Sequence, residues 1–172
     1  MNRKKSFVTI ITALVLLCLG LPSFSWAFDQ KDVLRGLKGV KIIVESVNPD
    51  VRRLGLTADR IQSNVEAQLR RVGIKVLKKY QPPAMTSLYI NVNTLIPAIA
   101  KTVVVYSVNV MVFENVYLKR DIGTVGDLKE VRAADWYKGS VGFVGINRIN
   151  NIYKKVELQV DKFISDYLAV NQ

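Results

Sequence analysis

Residues 87–95, SLYINVNTL, and residues 102–113, TVVVYSVNVMVF, decide the fold, because both stretches alternate between two kinds of side chain. The short link between them is centred near Ile99, which predicts an antiparallel hairpin that pairs even-numbered residues with even-numbered ones. The even-numbered face is apolar throughout: Leu88, Ile90, Val92, Tyr106, Val108, Val110 and Val112. One face of the sheet is therefore expected to be buried and the other to remain more polar.

The odd-numbered face of this hairpin is the first candidate contact surface. Its side chains mix aromatic rings with amide and hydroxyl groups: Tyr89, Asn91, Asn93, Ser107 and Asn109, followed by Met111 and Phe113. Such a mixture suits contact with a protein or with an extended peptide. Two alternatives are a plain solvent-exposed face and a face covered by residues 28–38.

The segments on either side of the hairpin complete the predicted fold. The pattern predicts three further strands, at residues 39–47, 74–77 and 128–137. It also predicts a helix from Ala58 to Val72 and a long helix from near Asn147. A turn at Asn48-Pro49-Asp50 and a loop at 119–127 connect these elements. Thr57 is suited to cap the first helix and Gly73 to end it. The β-helix-β order predicts that the first two strands run parallel if they share a sheet.

These elements predict one α+β domain over residues 28–172. Its architecture is a two-layer sandwich, in which a mixed and mostly antiparallel sheet carries two helices on one face in the order β-α-β-β-β-β-α. Each predicted helix has a single apolar stripe, and the even-numbered face of the hairpin is the surface that these stripes would cover.

Residues 1–27 have the pattern of a secretory signal peptide. A basic start (Arg3, Lys4 and Lys5) precedes an apolar stretch that ends at Pro22, and Ser25-Trp26-Ala27 offers small residues before a cleavage point. The pattern predicts export to the periplasm, with no integral membrane span after cleavage. Two alternatives are an uncleaved anchor and lipid attachment at Cys18, where Leu17 is a poor match to the lipoprotein motif.

Composition removes several kinds of chemistry. The 172 residues contain no histidine and one cysteine, which lies in the predicted leader. A histidine base, a Ser-His triad, a thiol nucleophile and a His- or Cys-ligated metal site are therefore excluded from the mature chain. We predict no cofactor and no enzyme activity.

A group of basic residues is the second candidate surface. Removing the leader lowers the formal net charge from +11 to +8, and much of this excess falls between residues 52 and 79. The candidate basic patch comprises Arg60, Arg70, Arg71, Lys75, Lys78 and Lys79. It could attract an anionic lipid headgroup or membrane surface, a polysaccharide or an acidic partner. Nucleic acid is not expected, since export and the lack of interleaved aromatic residues argue against it. The alternative is a solvated helix face.

Three other patterns in the sequence are weaker signals of chemistry. The glycines at 139, 142 and 145 precede the last helix, but their spacing matches no phosphate-binding motif and favours a bulge or close backbone packing on that helix. Asp121 and Asp127 are too sparse for a calcium loop. Possible catalytic groups without histidine are the carboxyls of Glu114, Glu130 and Asp135 and the pair Ser140 and Lys138, none of which forms a recognised motif.

The leader, residues 33–40 with the strand that follows, and the tail at residues 160–171 resemble those of small exported bacterial proteins of unassigned function. The element order is also similar in outline to the α+β domain of the TolB N-terminal type, a likeness that carries no activity with it. The resemblance implies an envelope protein and no particular functional residue.

The sequence as a whole predicts a non-catalytic exported protein that binds another envelope protein or helps to assemble it. The alternative is a binder of an anionic lipid headgroup, polysaccharide or small molecule at the basic patch, and an enzyme of unknown class is the third hypothesis.

Overall fold

The computed structural model describes residues 29–79, 86–118 and 130–172. The predicted leader with Cys18, the break at residues 81–84 and the predicted loop at 119–127 with Asp121 and Asp127 lie outside these ranges.

In the part of the chain that the structure describes, alternating apolar residues build one four-stranded sheet. Its strands are β1 (Lys41–Val44), β2 (Ser87–Leu95), β3 (Val103–Tyr117) and β4 (Glu130–Gly145), and their order across the sheet follows the sequence. β1 runs parallel to β2, whereas the β2–β3 and β3–β4 pairs are antiparallel. The sheet is therefore mixed and mostly antiparallel, as predicted.

The register of the central hairpin confirms the predicted division between its faces. Ile90 lies opposite Val110 and Asn91 lies opposite Asn109, so even-numbered residues pair with each other. The even-numbered side chains from Leu88 to Val92 and from Val104 to Val112 are buried, whereas the odd-numbered ones from Tyr89 onward are half-buried or exposed.

Within the described residues, three helices accompany the sheet: α1 (Pro49–Arg52), α2 (Ala58–Arg71) and α3 (Asn151–Asn171). The side chain of Thr57 accepts a hydrogen bond from the amide of Arg60 at 3.4 Å, and Gly73 follows the helix with φ of +80°, so the predicted start and end signals of α2 are confirmed. The buried side chains of α2 and α3 belong to the same core as the even-numbered face. The fold is a two-layer α+β sandwich.

The N-terminal segment packs against the last helix. A 3₁₀ turn at Gln30–Leu34 buries Leu34 in the core. The hydroxyl of Tyr167 donates to the carbonyl of Leu37 at 3.0 Å, and the side chain of Asn171 donates to the carbonyl of Leu34 at 2.8 Å. Residues 29–38 therefore lie on the helix side, and the alternative that they cover the odd-numbered face is wrong.

The predicted strand at residues 74–77 is reduced to a single parallel bridge between Val40 and Val76. Ile74 and Leu77 are both buried. In a strand, residues three positions apart point to opposite faces, so a regular strand could not bury both of them in one core. The predicted turn at 48–50 likewise opens α1, where the side chain of Asn48 accepts from the amide of Asp50 at 2.9 Å.

The glycine run lies within β4, which continues past the predicted strand end at residue 137, and two of its glycines pack against β3 instead of the last helix. A side chain at Gly142 would place its Cβ 2.6 Å from the hydroxyl oxygen of Tyr106, and one at Gly139 would lie 2.8 Å from Oδ1 of Asn109. These glycines leave room for side chains of β3, and α3 begins at Asn151 after a 3₁₀ turn at Ile146–Arg148 instead of near Asn147.

Across residues 29–79, 86–118 and 130–172, no helix combines the length and the apolar character that crossing a bilayer requires.

Candidate functional site

A row of hydrogen-bonded side chains crosses the odd-numbered face of the sheet, which we call the open face. Tyr89 donates from its hydroxyl to Oε2 of Glu45 at 2.8 Å, and Asn91 donates to the same oxygen. Asn109 on β3 donates to Oδ1 of Asn91 at 3.3 Å, and Tyr137 on β4 donates to Oδ1 of Asn109 at 2.8 Å. The row thus reaches from the residue after β1 to the far edge of the sheet.

This polar row holds its side chains in fixed positions. Asn93 extends it by donating to Oδ1 of Asn91 at 2.6 Å, so Asn91 is the hub of the row. The hydrogen bond to Glu45, followed by partial burial and the Glu45 charge, raises the pKa of Tyr89 above its ordinary value. Tyr89 therefore stays protonated and remains a donor at neutral pH.

A hollow of about 390 Å³ adjoins the polar row and is lined by Ile43, Tyr89, Phe113 and Arg132. The rings of Tyr89 and Phe113 meet edge to face with centroids 5.6 Å apart. The guanidinium of Arg132 lies 5.7 Å from the centre of the Phe113 ring, and it also donates to the hydroxyl of Ser87. The hollow therefore combines an apolar floor with one positive charge.

The opposite end of the open face is apolar. Leu95, Val105, Val141 and Phe143 are exposed there, and a second hollow of about 240 Å³ lies among Leu95, Val105, Val141 and their neighbours. Ser107, which the sequence assigned to the contact surface, lines this hollow.

The structure brings together most of the predicted open-face residues. Tyr89, Asn91, Asn93 and Asn109 share the polar row, whereas Ser107 lies in the apolar hollow. Sequence reasoning missed Glu45, Tyr137 and Arg132. Glu45 follows the odd-numbered parity of β1, but using that signal required knowing that β1 pairs with β2.

The residues of the predicted basic patch are spread along α2 and the segment that follows it. Arg60 lies in the first turn of α2 and stacks over the ring of Tyr153, 4.5 Å from its centre. Arg70 is ten residues further along the helix, a distance of about 15 Å, and its guanidinium forms an ion pair with Glu66 at 3.3 Å. Arg71 lines a groove that also contains two acidic residues of α3, Glu157 and Asp161. Lys75, Lys78 and Lys79 are exposed after the helix.

Two of the carboxyls considered for catalysis meet on the helix side of the sheet. A register shift between Val112 and Phe113 leaves Asp135 without a partner residue on β3 and beside Glu114. The hydroxyl of Thr86 donates to Oε1 of Glu114 at 2.5 Å. Burial, the charge of Glu114 and a hydrogen bond with Glu114 raise the pKa of Asp135 to about 6. Neither carboxyl lines the hollows described above.

The Asp135 carboxyl makes stability depend on pH in a defined direction. Its folded pKa of about 6 lies above the ordinary value of 3.8, so the folded state binds this proton more tightly than the unfolded state does. The contribution of this group to stability is therefore full below about pH 4 and is lost as the pH rises through about 6.

Replacing Asp135 by asparagine should raise the free energy of unfolding by about 1–2 kcal/mol at neutral pH, a figure discounted for solvent screening. The gain should vanish near pH 4, where the wild-type carboxyl is protonated. Urea unfolding of both proteins across this range measures the difference. Glu114→Gln should remove part of the same pH dependence, because it removes the neighbouring charge; identical pH profiles for wild type and Asp135→Asn would contradict the assignment.

Within the described ranges, no group of three or more acidic or cysteine side chains is arranged to hold a metal ion. Comparison of the chain with protein-family models, with curated proteins and with solved structures gave no match.

Proposed function

We propose that the chain is a non-catalytic protein of the bacterial envelope, exported to the periplasm, that binds another protein through the open face. The observation that carries the proposal is the polar row from Glu45 through Asn91 and Asn109 to Tyr137, which spans the width of the sheet. α2, α3 and the N-terminal segment pack on the other side of the sheet.

The hydrogen bonds within the row favour binding because they fix the side chains before a partner arrives. Ordering a side chain at an interface costs roughly 0.5–1.5 kcal/mol, and this cost is reduced where Tyr89 and Asn91 are already held by Glu45. Asparagine amides keep further donors and acceptors that a partner can use.

The hollow beside the row supplies the apolar component that a protein interface needs. Its volume of about 390 Å³ accommodates an apolar side chain of the partner between Ile43 and Phe113. Aromatic residues and arginine are the side chains most enriched among strong interface contacts, and Tyr89, Phe113 and Arg132 provide three of them in one place.

Two features support the open face over the basic patch. Arg60 and Arg70 are engaged with Tyr153 and Glu66, and Arg71 lies beside acidic residues of α3. The open-face residues instead form a continuous surface. The absence of histidine from the sequence and the position of Glu114 and Asp135 outside the hollows support a role in binding rather than catalysis.

Site-specific photo-crosslinking in the source cell tests the proposal. A photoreactive amino acid at Asn93, on the open face, should give an adduct of defined mass with another protein. The same amino acid at Leu158, which is 51% exposed on α3, is the matched control and should not give that adduct. Asn91→Leu should lower the adduct yield at least about tenfold, because it breaks the hub of the row within a pre-formed interface.

Equal adducts from both positions, or no adduct from Asn93, would contradict the proposal. Adducts with lipid or glycan that disappear when Lys78 and Lys79 are replaced by glutamine would instead support the anionic-ligand alternative.

A further inference from the structure

The outer edge of β4 is a long strand edge without a partner among the described strands. β4 has 16 residues and is the last strand of the sheet. The other edge strand, β1, has four residues and is shielded in part by the bridge between Val40 and Val76. Long unpaired edges are templates for pairing with another chain.

The backbone groups that face outward can be identified from the ladder to β3. The amide of Ile146 donates to the carbonyl of Thr102 at 2.9 Å, which directs this even-numbered residue toward β3. Because inward and outward residues alternate in an antiparallel ladder, the odd-numbered residues from Tyr137 to Gly145 point their N–H and C=O groups away from the sheet.

Exposed apolar side chains lie on the same odd-numbered residues. Val141 is 79% exposed, Phe143 is 76% exposed and Tyr137 is 47% exposed. Lys138 is the one charged residue between Trp136 and Gly145. Natural edge strands are usually protected by charges, prolines or bulges. Between Tyr137 and Gly145, β4 has only the charge of Lys138, although the 3₁₀ turn at Gln30–Leu34 packs against another part of its surface.

Ser140 indicates how a second strand would align. Its N–H and C=O groups face β3, so it lies between two residues, Gly139 and Val141, whose backbone groups point away from the sheet. If a second β4 pairs antiparallel around a two-fold axis at Ser140, Gly139 of each copy exchanges hydrogen bonds with Val141 of the other, and the two Ser140 residues lie opposite each other as a non-hydrogen-bonded pair.

The same alignment is favourable for the flanking residues. Tyr137 lies opposite Phe143 of the second copy, Gly139 lies opposite its Val141, and Lys138 lies opposite its Gly142. Two aromatic pairs form by symmetry, and no like charges oppose each other, both of which stabilise cross-strand pairs.

We propose that two copies of the chain associate by antiparallel pairing of their β4 strands, centred on Ser140, to form a continuous eight-stranded sheet. The interface is isologous, as is usual for two-fold dimers. The inference does not require the proposed function, because the pairing is made by the backbone edge of β4; Tyr137 is the one residue of the polar row that the two surfaces share.

The association is tested with a pair of variants at one position. Val141→Pro removes an outward-facing N–H and leaves the ladder to β3 intact, which edge strands tolerate. Val141→Ala shortens the side chain but keeps the N–H. Sedimentation equilibrium over a concentration series is measured on wild type and both variants, purified from cells that express the full chain.

Wild type should form a concentration-dependent dimer. Val141→Pro should raise the dissociation constant of the dimer at least about tenfold more than Val141→Ala does, because the symmetric interface loses the same hydrogen bond twice. A wild-type protein that stays monomeric at all concentrations overturns the proposal, as does a Val141→Pro protein that dimerises as well as Val141→Ala.

Disulfide trapping tests the alignment and does not depend on the proline variant folding. In a chain carrying Cys18→Ser, Ser140→Cys places two thiols at a non-hydrogen-bonded pair, where Cα atoms are about 4.5 Å apart and a disulfide can form. Val141→Cys is the matched control, because its partner in this alignment is Gly139. Mild oxidation should trap a dimer of Ser140→Cys faster than one of Val141→Cys; equal rates, or faster trapping of Val141→Cys, overturn the alignment.

Discussion

Replacing Trp136 by alanine should lower the free energy of unfolding by about 3–5 kcal/mol, the range typical for removing a fully buried aromatic side chain. Trp136 is completely buried, and its ring meets that of Phe163 edge to face with centroids 5.4 Å apart. Its indole N–H also donates to Oδ2 of Asp166 at 2.9 Å. The side chain thus joins β4 to α3 by packing and by a hydrogen bond.

The effect would be large for a domain of this size, whose total stability is expected to be about 5–15 kcal/mol. Urea unfolding of wild type and Trp136→Ala measures the loss in free energy of unfolding. Trp136→Phe keeps an aromatic ring but loses the hydrogen bond, so it should cost less than the alanine variant. Phe143→Ala removes an exposed ring of the same strand and, in dilute protein, should change stability by about 0.5 kcal/mol or less. Equal losses for Trp136→Ala and Phe143→Ala would contradict the position of β4 over α3.

The central hairpin and α2 could be predicted because their signals are local. Alternation along residues 87–95 specifies both the strand and its buried face, and the short link sets the register of β3. Thr57 and Gly73 mark the ends of α2 through backbone requirements that involve only nearby residues.

The strand that pairs with β1 could not be predicted from local signals. Sequence order suggested residues 74–77, which follow α2 directly, but β1 pairs in parallel with β2, placing Ile43 beside Tyr89. Which segment pairs with β1 depends on contacts between residues that are far apart in the sequence, so local patterns do not specify it. The part of the site that depends on it, the contact of Glu45 with Tyr89 and Asn91, was missed for the same reason.

The carboxyl pair illustrates a second limit. Alternation predicts which face each side chain occupies only while the register is continuous, and the shift between Val112 and Phe113 breaks it. Asp135 and Glu114 are 21 positions apart in the sequence and become neighbours at this irregularity. The pattern of apolar residues does not predict the contact between these two carboxyls, because the position of a bulge depends on how two strands fit together.

Replacing Gly39 by alanine should lower the free energy of unfolding by about 2–4 kcal/mol, because strain and a steric clash with the backbone combine. Gly39 has φ of +152°, and a Cβ there would lie 2.6 Å from the carbonyl oxygen of Lys75. That oxygen accepts the hydrogen bond from the amide of Val40 at 3.0 Å. Moving Lys75 away would therefore break the bridge that ties the segment after α2 to β1.

Gly36→Ala is the matched control for this variant. Gly36 also has a positive φ, of +80°, but nothing lies within 4 Å of a Cβ built there. Its replacement should cost only the left-handed backbone strain, about 1–2 kcal/mol. Urea unfolding of the two variants separates strain from clash: a larger loss for Gly39→Ala is expected, and equal losses would show that the close approach to Lys75 does not limit the fold. If the difference holds, the close approach of Gly39 to Lys75 is required for the bridge between Val40 and Val76, which holds residues 75–77 beside the start of β1.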